Sequence, residues 1–299
     1  MLTGTQVAFI GGDARQLEVI QRLTELDASV TLIGFDNLKQ AFNGATHAEL
    51  TEDAFADLDA VLLPVVGTDD EGKVEGVFTS KELRLTDACF ARLPKHAKVY
   101  AGIAKPYLRN LCQKHGIALI ELLERDDVAI YNSIPTAEGA LLLAIQNTDI
   151  TIHGSTTLVI GFGRTGMTMA RTLLGLGAKV LVGVRKEDHY ARAYEMGFQP
   201  FHTSRLQQYV GDADIVFNTV PTPILTARVI AAMPPRAVII DLASKPGGTD
   251  FRFAERRGVK ALLAPGLPGI VAPKTAGRII ATVVSQLIME DTAKRGKEA

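Results

Sequence analysis

The run LVIGFGRTGMTMARTLLGLGAKVLVGVR, residues 158–185, constrains this chain more than any other segment. It places Gly161, Gly163 and Gly166 in the spacing G-x-G-x-x-G, directly after an apolar strand-like run and directly before an amphipathic helical run. A second apolar run, Lys179–Val182, follows. Strand, helix and strand in that order form a βαβ unit with parallel strands and a right-handed crossover. Within it each glycine has a physical task. Gly161 permits the tight turn, Gly163 lets a pyrophosphate approach the backbone, and Gly166 lets the helix pack closely on the strand. The unpaired N–H groups of the first helical turn, which starts around Arg164 and Thr165, then face an anion. The spacing alone is weak, but in this context it predicts a dinucleotide site.

The residue about 20 positions past the glycines chooses the cofactor, an acid favouring NAD by holding the ribose 2′-hydroxyl. Here the second strand ends in Arg185-Lys186, two cations suited to a 2′-phosphate. The expectation is NADP, with NAD as the alternative because Glu187 and Asp188 follow closely. Two later strand ends complete the expected pocket, since ligands of open α/β sheets bind beyond the carboxyl ends of strands. These are Thr219-Val220-Pro221 and Asp241-Leu242-Ala243.

The same rhythm fills the rest of the chain. Val7–Ile10, Ser29–Ile33, Ala60–Leu63 and Lys98–Gly102 read as strands in the first half, with helical runs near Ser80–Ala91 and Pro106–His115. Thr68–Glu75 reads as an exposed acidic loop. In the second half the strands are Thr157–Ile160, Lys179–Val182, Asp214–Asn218, Ala237–Asp241 and Lys260–Leu263. Between the halves, Val128–Tyr131 reads as an extended lead-in to a long helix from about Ser133. The fold class is α/β: two doubly wound parallel-sheet domains with an interdomain cleft, the second a Rossmann dinucleotide-binding domain. The expected divisions are an α/β substrate-side domain over 1–125, a bridging helix over 126–150, the Rossmann domain over 151–271 and a C-terminal helix over 272–299 packing back toward the first domain. The 299 residues suffice for two such domains.

Gly11-Gly12-Asp13-Ala14-Arg15 follows the first strand but lacks the full fingerprint, so no dinucleotide is assigned there. Its helix start either holds a carboxylate or is a packed turn. The substrate is expected in the interdomain cleft. Ser133 and Thr136 open the bridging helix in this reading, and Lys245 and Lys274 lie beside glycine- and proline-rich turns, where they could grip a carboxylate. His153 precedes its strand and so lies toward the wrong edge of the sheet for catalysis. No nucleophile–base pair, metal cluster or P-loop is legible, and the catalytic residues stay unassigned.

A net charge of −1, with acids and bases interspersed, gives no electrostatic basis for nucleic acid or an anionic membrane as partner. No run reaches the ~18 consecutive apolar residues of a membrane span, and the amino terminus has no signal-peptide pattern, so a cytoplasmic protein is expected. Cys89 and Cys112 lack metal-ligand spacing and read as buried free thiols.

Six segments in order along the chain carry a family resemblance: IGGDARQ (10–16), ERDDVAIYNSIPTAEG (124–139), TIHGS (151–155), GFGRTGMTMART (161–172), DLASKPGGTDF (241–251) and ALLAPGLPGIVAPKTAG (261–277). The chain resembles the first of the two components of dipicolinate synthase from spore-forming bacteria, the A component. More distantly, its plan is similar to 2-hydroxyacid, alanine and shikimate dehydrogenases and adenosylhomocysteinase. The resemblance implies oxidation of dihydrodipicolinate, formed from 4-hydroxytetrahydrodipicolinate, to dipicolinate during sporulation in the mother-cell cytoplasm. It implies the flavoprotein-like B component of dipicolinate synthase as partner. It also implies a small dicarboxylate substrate and, by analogy with such dehydrogenases, a homo-oligomer. Three alternatives stay open: another NADP dehydrogenase of a small carboxylic acid, a non-catalytic scaffold for the B component, and a hydrolase or lyase with tightly held NAD.

Overall fold

The computed structural model describes residues 1–298. The chain divides into two compact units, Met1–Ala129 with Ala272–Ala299, and Ile130–Val271.

The first unit is built on six parallel strands: β1 (Gln6–Ile10), β2 (Ser29–Ile33), β3 (Ala45–Ala48), β4 (Ala60–Leu62), β7 (Lys98–Ala101) and β8 (Ala118–Glu121). They form one sheet in the order β3-β2-β1-β4-β7-β8. The central strands are continuous apolar runs because both faces are covered by core. Helix α1 (Ala14–Glu25) starts where the Asp13 side chain accepts the Arg15 N–H. Helix α2 spans Asp87–Arg92. Helix α3 (Pro106–His115) opens on proline and stops at Gly116, whose φ of 64° suits a residue without Cβ. A short antiparallel pair, β5 (Lys73–Val74) with β6 (Leu83–Arg84), occupies part of the segment expected to be loop and helix. Thr68, expected to be exposed, is buried, because the segment folds back onto the sheet end.

Helix α4 (Asp126–Asn147) corrects the expected extended lead-in. Two acids, Asp126 and Asp127, occupy its first turn, where they suit the positive end of the helix dipole. Among the described residues it is the one helix whose length and mean hydropathy would suit a membrane span. Its Ala137, Ala140, Leu141 and Ala144 instead belong to the core of the second unit.

The second unit has the strands β9 (Thr156–Ile160), β10 (Lys179–Val184), β11 (Gln199–His202), β12 (Ile215–Asn218), β13 (Val238–Asp241) and β14 (Lys260–Leu263). Their order, β11-β10-β9-β12-β13-β14, repeats that of the first sheet. Its helices are α5 (Arg164–Gly175), α6 (Glu187–Glu195), α7 (Leu206–Tyr209), α8 (Ala227–Ala231), α9 (Phe251–Arg257) and α10 (Leu267–Val271). Two apolar clusters cover the sheet faces.

The last helix, α11 (Pro273–Glu298), returns to the first unit. It lies so close to α1 that a Cβ on Gly277 would stand 2.5 Å from the Arg15 carbonyl oxygen. Arg278 donates to Glu18 at 2.8 Å, Lys98 donates to Asp291 at 2.5 Å, and Arg295 pairs with Asp59. Cys89 and Cys112 are buried free thiols, and burial pushes the Cys112 thiol up to about 12.

Candidate functional site

Each sheet reverses its strand order between the first and fourth positions, which opens a crevice at the carboxyl ends of those strands. In the second unit this crevice lies between β9 and β12, and the glycine loop fills its mouth. Gly161 has φ of +96°, and a Cβ there would stand 2.3 Å from Thr219 Oγ1. Gly166 sits so tightly on the turn that a Cβ would meet the Gly161 carbonyl oxygen at 2.2 Å. Gly163 differs from both. It is the N-cap of α5 in ordinary extended conformation, with no side-chain cap, and a Cβ there would meet nothing within 4 Å. Packing therefore demands glycine at 161 and 166 but not at 163. At 163 the missing side chain leaves room in front of the first-turn N–H groups of α5, including those of Arg164, Thr165 and Gly166. That open cradle fits a pyrophosphate.

Arg185 is the first residue beyond β10, exposed at the carboxyl end of the strand, and Lys186 is the N-cap of α6. Glu187 and Asp188 form the first turn of α6. The Asp188 side chain accepts the His189 N–H, and Glu187 lies 3.4 Å from His202 Nε2. The strand end thus presents cations, with the neighbouring acids turned to local partners.

The floor of the crevice is a buried polar cluster that is not legible as such in the sequence. Asp241 is fully buried, and its carboxyl group accepts four hydrogen bonds. Oδ1 takes Asn218 Nδ2 at 3.0 Å and the Ala243 N–H at 3.0 Å. Oδ2 takes the Gly248 N–H at 2.9 Å and Thr249 Oγ1 at 2.6 Å. The buried Asn218 completes the cluster, with Oδ1 accepting the Val220 N–H and Nδ2 donating to the Val220 carbonyl. A Cβ on Gly248 would stand 2.4 Å from the Val220 carbonyl oxygen. Asp241 stands at the strand end where the pocket is expected, and its acceptors are used in holding the loops after β12 and β13 together. Thr219 is likewise committed, its hydroxyl donating to the Ile160 carbonyl at 2.9 Å. Val220 and Leu242 are half-buried, Pro221 is exposed and Ala243 is buried along these loops.

The substrate expectations fare unevenly. Ser133 and Thr136 do not open a helix, because α4 begins seven residues before Ser133 at Asp126. Ser133 is 1% exposed; its hydroxyl donates to the Ile130 carbonyl at 2.6 Å and meets Thr168 Oγ1 of α5 at 2.6 Å. Thr136 Oγ1 donates to the Asn132 carbonyl. Both hydroxyls return to the backbone of their own helix, and Pro135, which suggests a helix start, lies inside it. Lys245 is exposed in the loop held by Asp241, and Lys274 is exposed in the first turn of α11, which belongs to the first unit. His153 precedes β9, at the edge of the sheet away from the glycine loop, and its ring covers Gly177. No cluster of three or more potential metal ligands occurs among the described residues.

In the first unit the same crevice has different contents. Asp13 stands at the N-cap position that Gly163 holds in the second unit, three residues beyond its strand in each case. It binds Arg15 through Nε at 2.9 Å and Nη2 at 2.5 Å. Gln16, in the place of Gly166, is buried and donates to the Leu63 carbonyl at 2.9 Å. Beside them lies a pocket of about 370 Å³.

Comparison with known proteins agrees with this architecture. Residues 6–123 match the family model of the N-terminal domain of the dipicolinate synthase A component. Residues 140–245 match the D-isomer specific 2-hydroxyacid dehydrogenase, NAD binding domain. The chain is 53% identical to the dipicolinate synthase A component of Bacillus subtilis over 99% of its own length and 100% of that protein. Its fold is similar to the crystal structure of the same Bacillus subtilis component, with a TM-score of 0.95 over 98% of this chain and 99% of that one, at 53% identity. The Bacillus halodurans counterpart gives 0.94 over 96% and 99%, also at 53% identity.

Proposed function

Because the chain belongs to the family of dipicolinate synthase A components, we propose that it oxidises dihydrodipicolinate to dipicolinate with NADP. The observation that carries the dinucleotide half of this reading is the open position at Gly163, a cradle with backbone donors and no side chain. NADP, when bound, supplies the hydride acceptor. The balance is simple: the dihydropyridine ring loses a hydride to the nicotinamide and a proton to a base or to water, and the ring becomes aromatic. With aromatisation as driving force, the protein's own task is chiefly positioning. The first-turn N–H groups of α5 hold the pyrophosphate. Val220, Pro221, Leu242 and Ala243 would hold the rest of the dinucleotide, and Asn218 with Asp241 fixes their loops.

Arg185 and Lys186 are proposed to hold the 2′-phosphate. Their place at the end of β10, with Glu187 and Asp188 following in the first turn of α6, supports NADP over NAD. A charge-assisted hydrogen bond contributes about 1.5–3 kcal/mol. Replacing Arg185 with alanine should therefore lower kcat/KM for NADP roughly 10- to 100-fold, at about 1.4 kcal/mol per factor of ten, while leaving NAD within about threefold. Steady-state kinetics with both cofactors decides it, and an equal fall for both would reject the role.

Lys245 and Lys274 remain proposed carboxylate contacts of the substrate. Methionine at either should raise KM for the diacid with KM for the dinucleotide unchanged; unaltered kinetics would remove that lysine from the site. Partnership with the B component, a homo-oligomeric state and a mother-cell cytoplasmic location complete the proposal. The deciding experiment mixes the purified chain with freshly generated dihydrodipicolinate and NADP or NAD, with and without the B component. Reduced nicotinamide and the ultraviolet band of the pyridine diacid are followed together. A matched rise with this chain alone supports the reading. Turnover only with the B component present would move the chemistry to that partner and leave this chain a binding scaffold.

A further inference from the structure

The pocket of the first unit lies at the switch point between β1 and β4, where an open parallel sheet binds its ligands. Its contents exclude a second dinucleotide. The Asp13 carboxyl group occupies the front of α1, accepting the Arg15 N–H at 2.9 Å in the place a pyrophosphate would need. Burial pushes the Asp13 carboxyl up, but its hydrogen bonds and charge attraction to Arg15 outweigh that and hold it below the ordinary carboxylate range.

Asp13 also orients Arg15. It grips the Nε and Nη2 edge of the guanidinium, and the side chain of Arg15 is only 15% exposed. Among the described residues Nη1 has no protein partner, and no buried polar side-chain atom is left unsatisfied, so Nη1 keeps contact with solvent on a residue that lines the pocket. The guanidinium is thus locked in place with part of its donor fork free, an arrangement that loses little entropy when it binds a planar anion. Lys73 and Lys105 line the same pocket, each on an exposed ion pair, Lys105 with Asp70 at 3.1 Å and Lys73 with Glu82 at 3.7 Å. Of its three acids, Asp13 is committed to Arg15 and Asp69 to the N–H groups of Glu71 and Lys73, while Glu75 also lines the pocket. A volume of about 370 Å³ has room for a small molecule.

We propose that this first-unit pocket is the substrate's carboxylate site, with Arg15, pre-oriented by Asp13, gripping one carboxylate and the Lys73 and Lys105 side chains attracting the other. The proposal rests on the reading of the chain as a dehydrogenase of a small dicarboxylate, and it moves the main grip from the sequence-expected Ser133 and Thr136 to a residue on α1.

The test separates binding from turnover. Dipicolinate is titrated calorimetrically into the wild-type chain, Arg15→Gln and Arg15→Lys, without cofactor, and NADP is titrated into each as a folding control on the other unit. Dipicolinate affinity should fall at least tenfold in Arg15→Gln and less in Arg15→Lys, with NADP affinity unchanged. If Arg15→Gln does not fold, Lys105→Met with Lys73→Met takes its place, and the double change should weaken dipicolinate at least threefold. Wild-type dipicolinate affinity in the variants overturns the site. A chain that binds dipicolinate through Arg15 yet reduces no dinucleotide overturns the dehydrogenase reading and leaves the site standing.

Discussion

Gly163→Asp should abolish dinucleotide binding without harming the fold. The first unit shows that the substitution is structurally acceptable. Asp13 already occupies the equivalent N-cap, with φ and ψ of −123° and −168°, against −88° and −163° at Gly163. A Cβ at 163 meets nothing within 4 Å, and aspartate is a better N-cap than glycine by a few tenths of a kcal/mol. Thermal and urea unfolding should therefore be unchanged or slightly improved. Binding should collapse, because the new carboxylate takes the first-turn N–H groups and repels the pyrophosphate. Losing two charge-assisted hydrogen bonds at about 1.5–3 kcal/mol each corresponds to at least ~100-fold in Kd. Gly166→Ala is the contrasting variant. Its Cβ would sit 2.2 Å from the Gly161 carbonyl oxygen, so stability and binding should fall together. Titration of NADP into both, with unfolding curves alongside, checks the pair. A Gly163→Asp protein that still binds NADP at wild-type affinity would show that the cradle is not the pyrophosphate site.

How much a sequence discloses depends on how local each feature is. The central strands are legible because burial on both faces leaves continuous apolar runs such as Val7–Ile10 and Thr157–Ile160. The glycine loop is legible because its tasks are local: Gly161 and Gly166 pack within a turn whose spacing the motif itself dictates. The edge strands β3 and β11 are not. Ala45–Ala48 is partly exposed along its length, and Gln199–His202 carries a proline, so neither has the composition of a buried strand. The start of α4 is masked because Val128, Ile130 and Tyr131 suggest a strand and Pro135 suggests a first turn. The first-turn acids Asp126 and Asp127 are the better signal. Asp241 lies at the expected strand end but has a different task. Its partners Asn218 and Thr249 lie 23 and 8 residues away, and only the folded sheet brings them to one carboxyl group.

That carboxyl group is the basis of the second large effect. Asp241→Ala should destabilise the chain by about 3–5 kcal/mol, the range for removing one partner from a buried charged or fully bonded polar cluster. Four donors would lose their acceptor at once: Asn218 Nδ2, the Ala243 and Gly248 N–H groups, and the Thr249 hydroxyl. The surroundings offer no easy relief, since Gly248 already lies too close to the Val220 carbonyl for even a methyl group. Asp241→Asn keeps the shape but turns an NH₂ toward two of those donors, so it should fall between alanine and wild type. Thr249→Val removes a single bond and should cost about 1 kcal/mol. Because Val220 and Ala243 are held through the same cluster, Asp241→Asn should also raise KM for the dinucleotide more than it lowers kcat. Urea unfolding of the three variants, with NADP kinetics of those that fold, measures both effects. A loss below about 1 kcal/mol in Asp241→Ala would mean that the four bonds are replaced by water at little cost, and that the loops after β12 and β13 are positioned by packing rather than by Asp241.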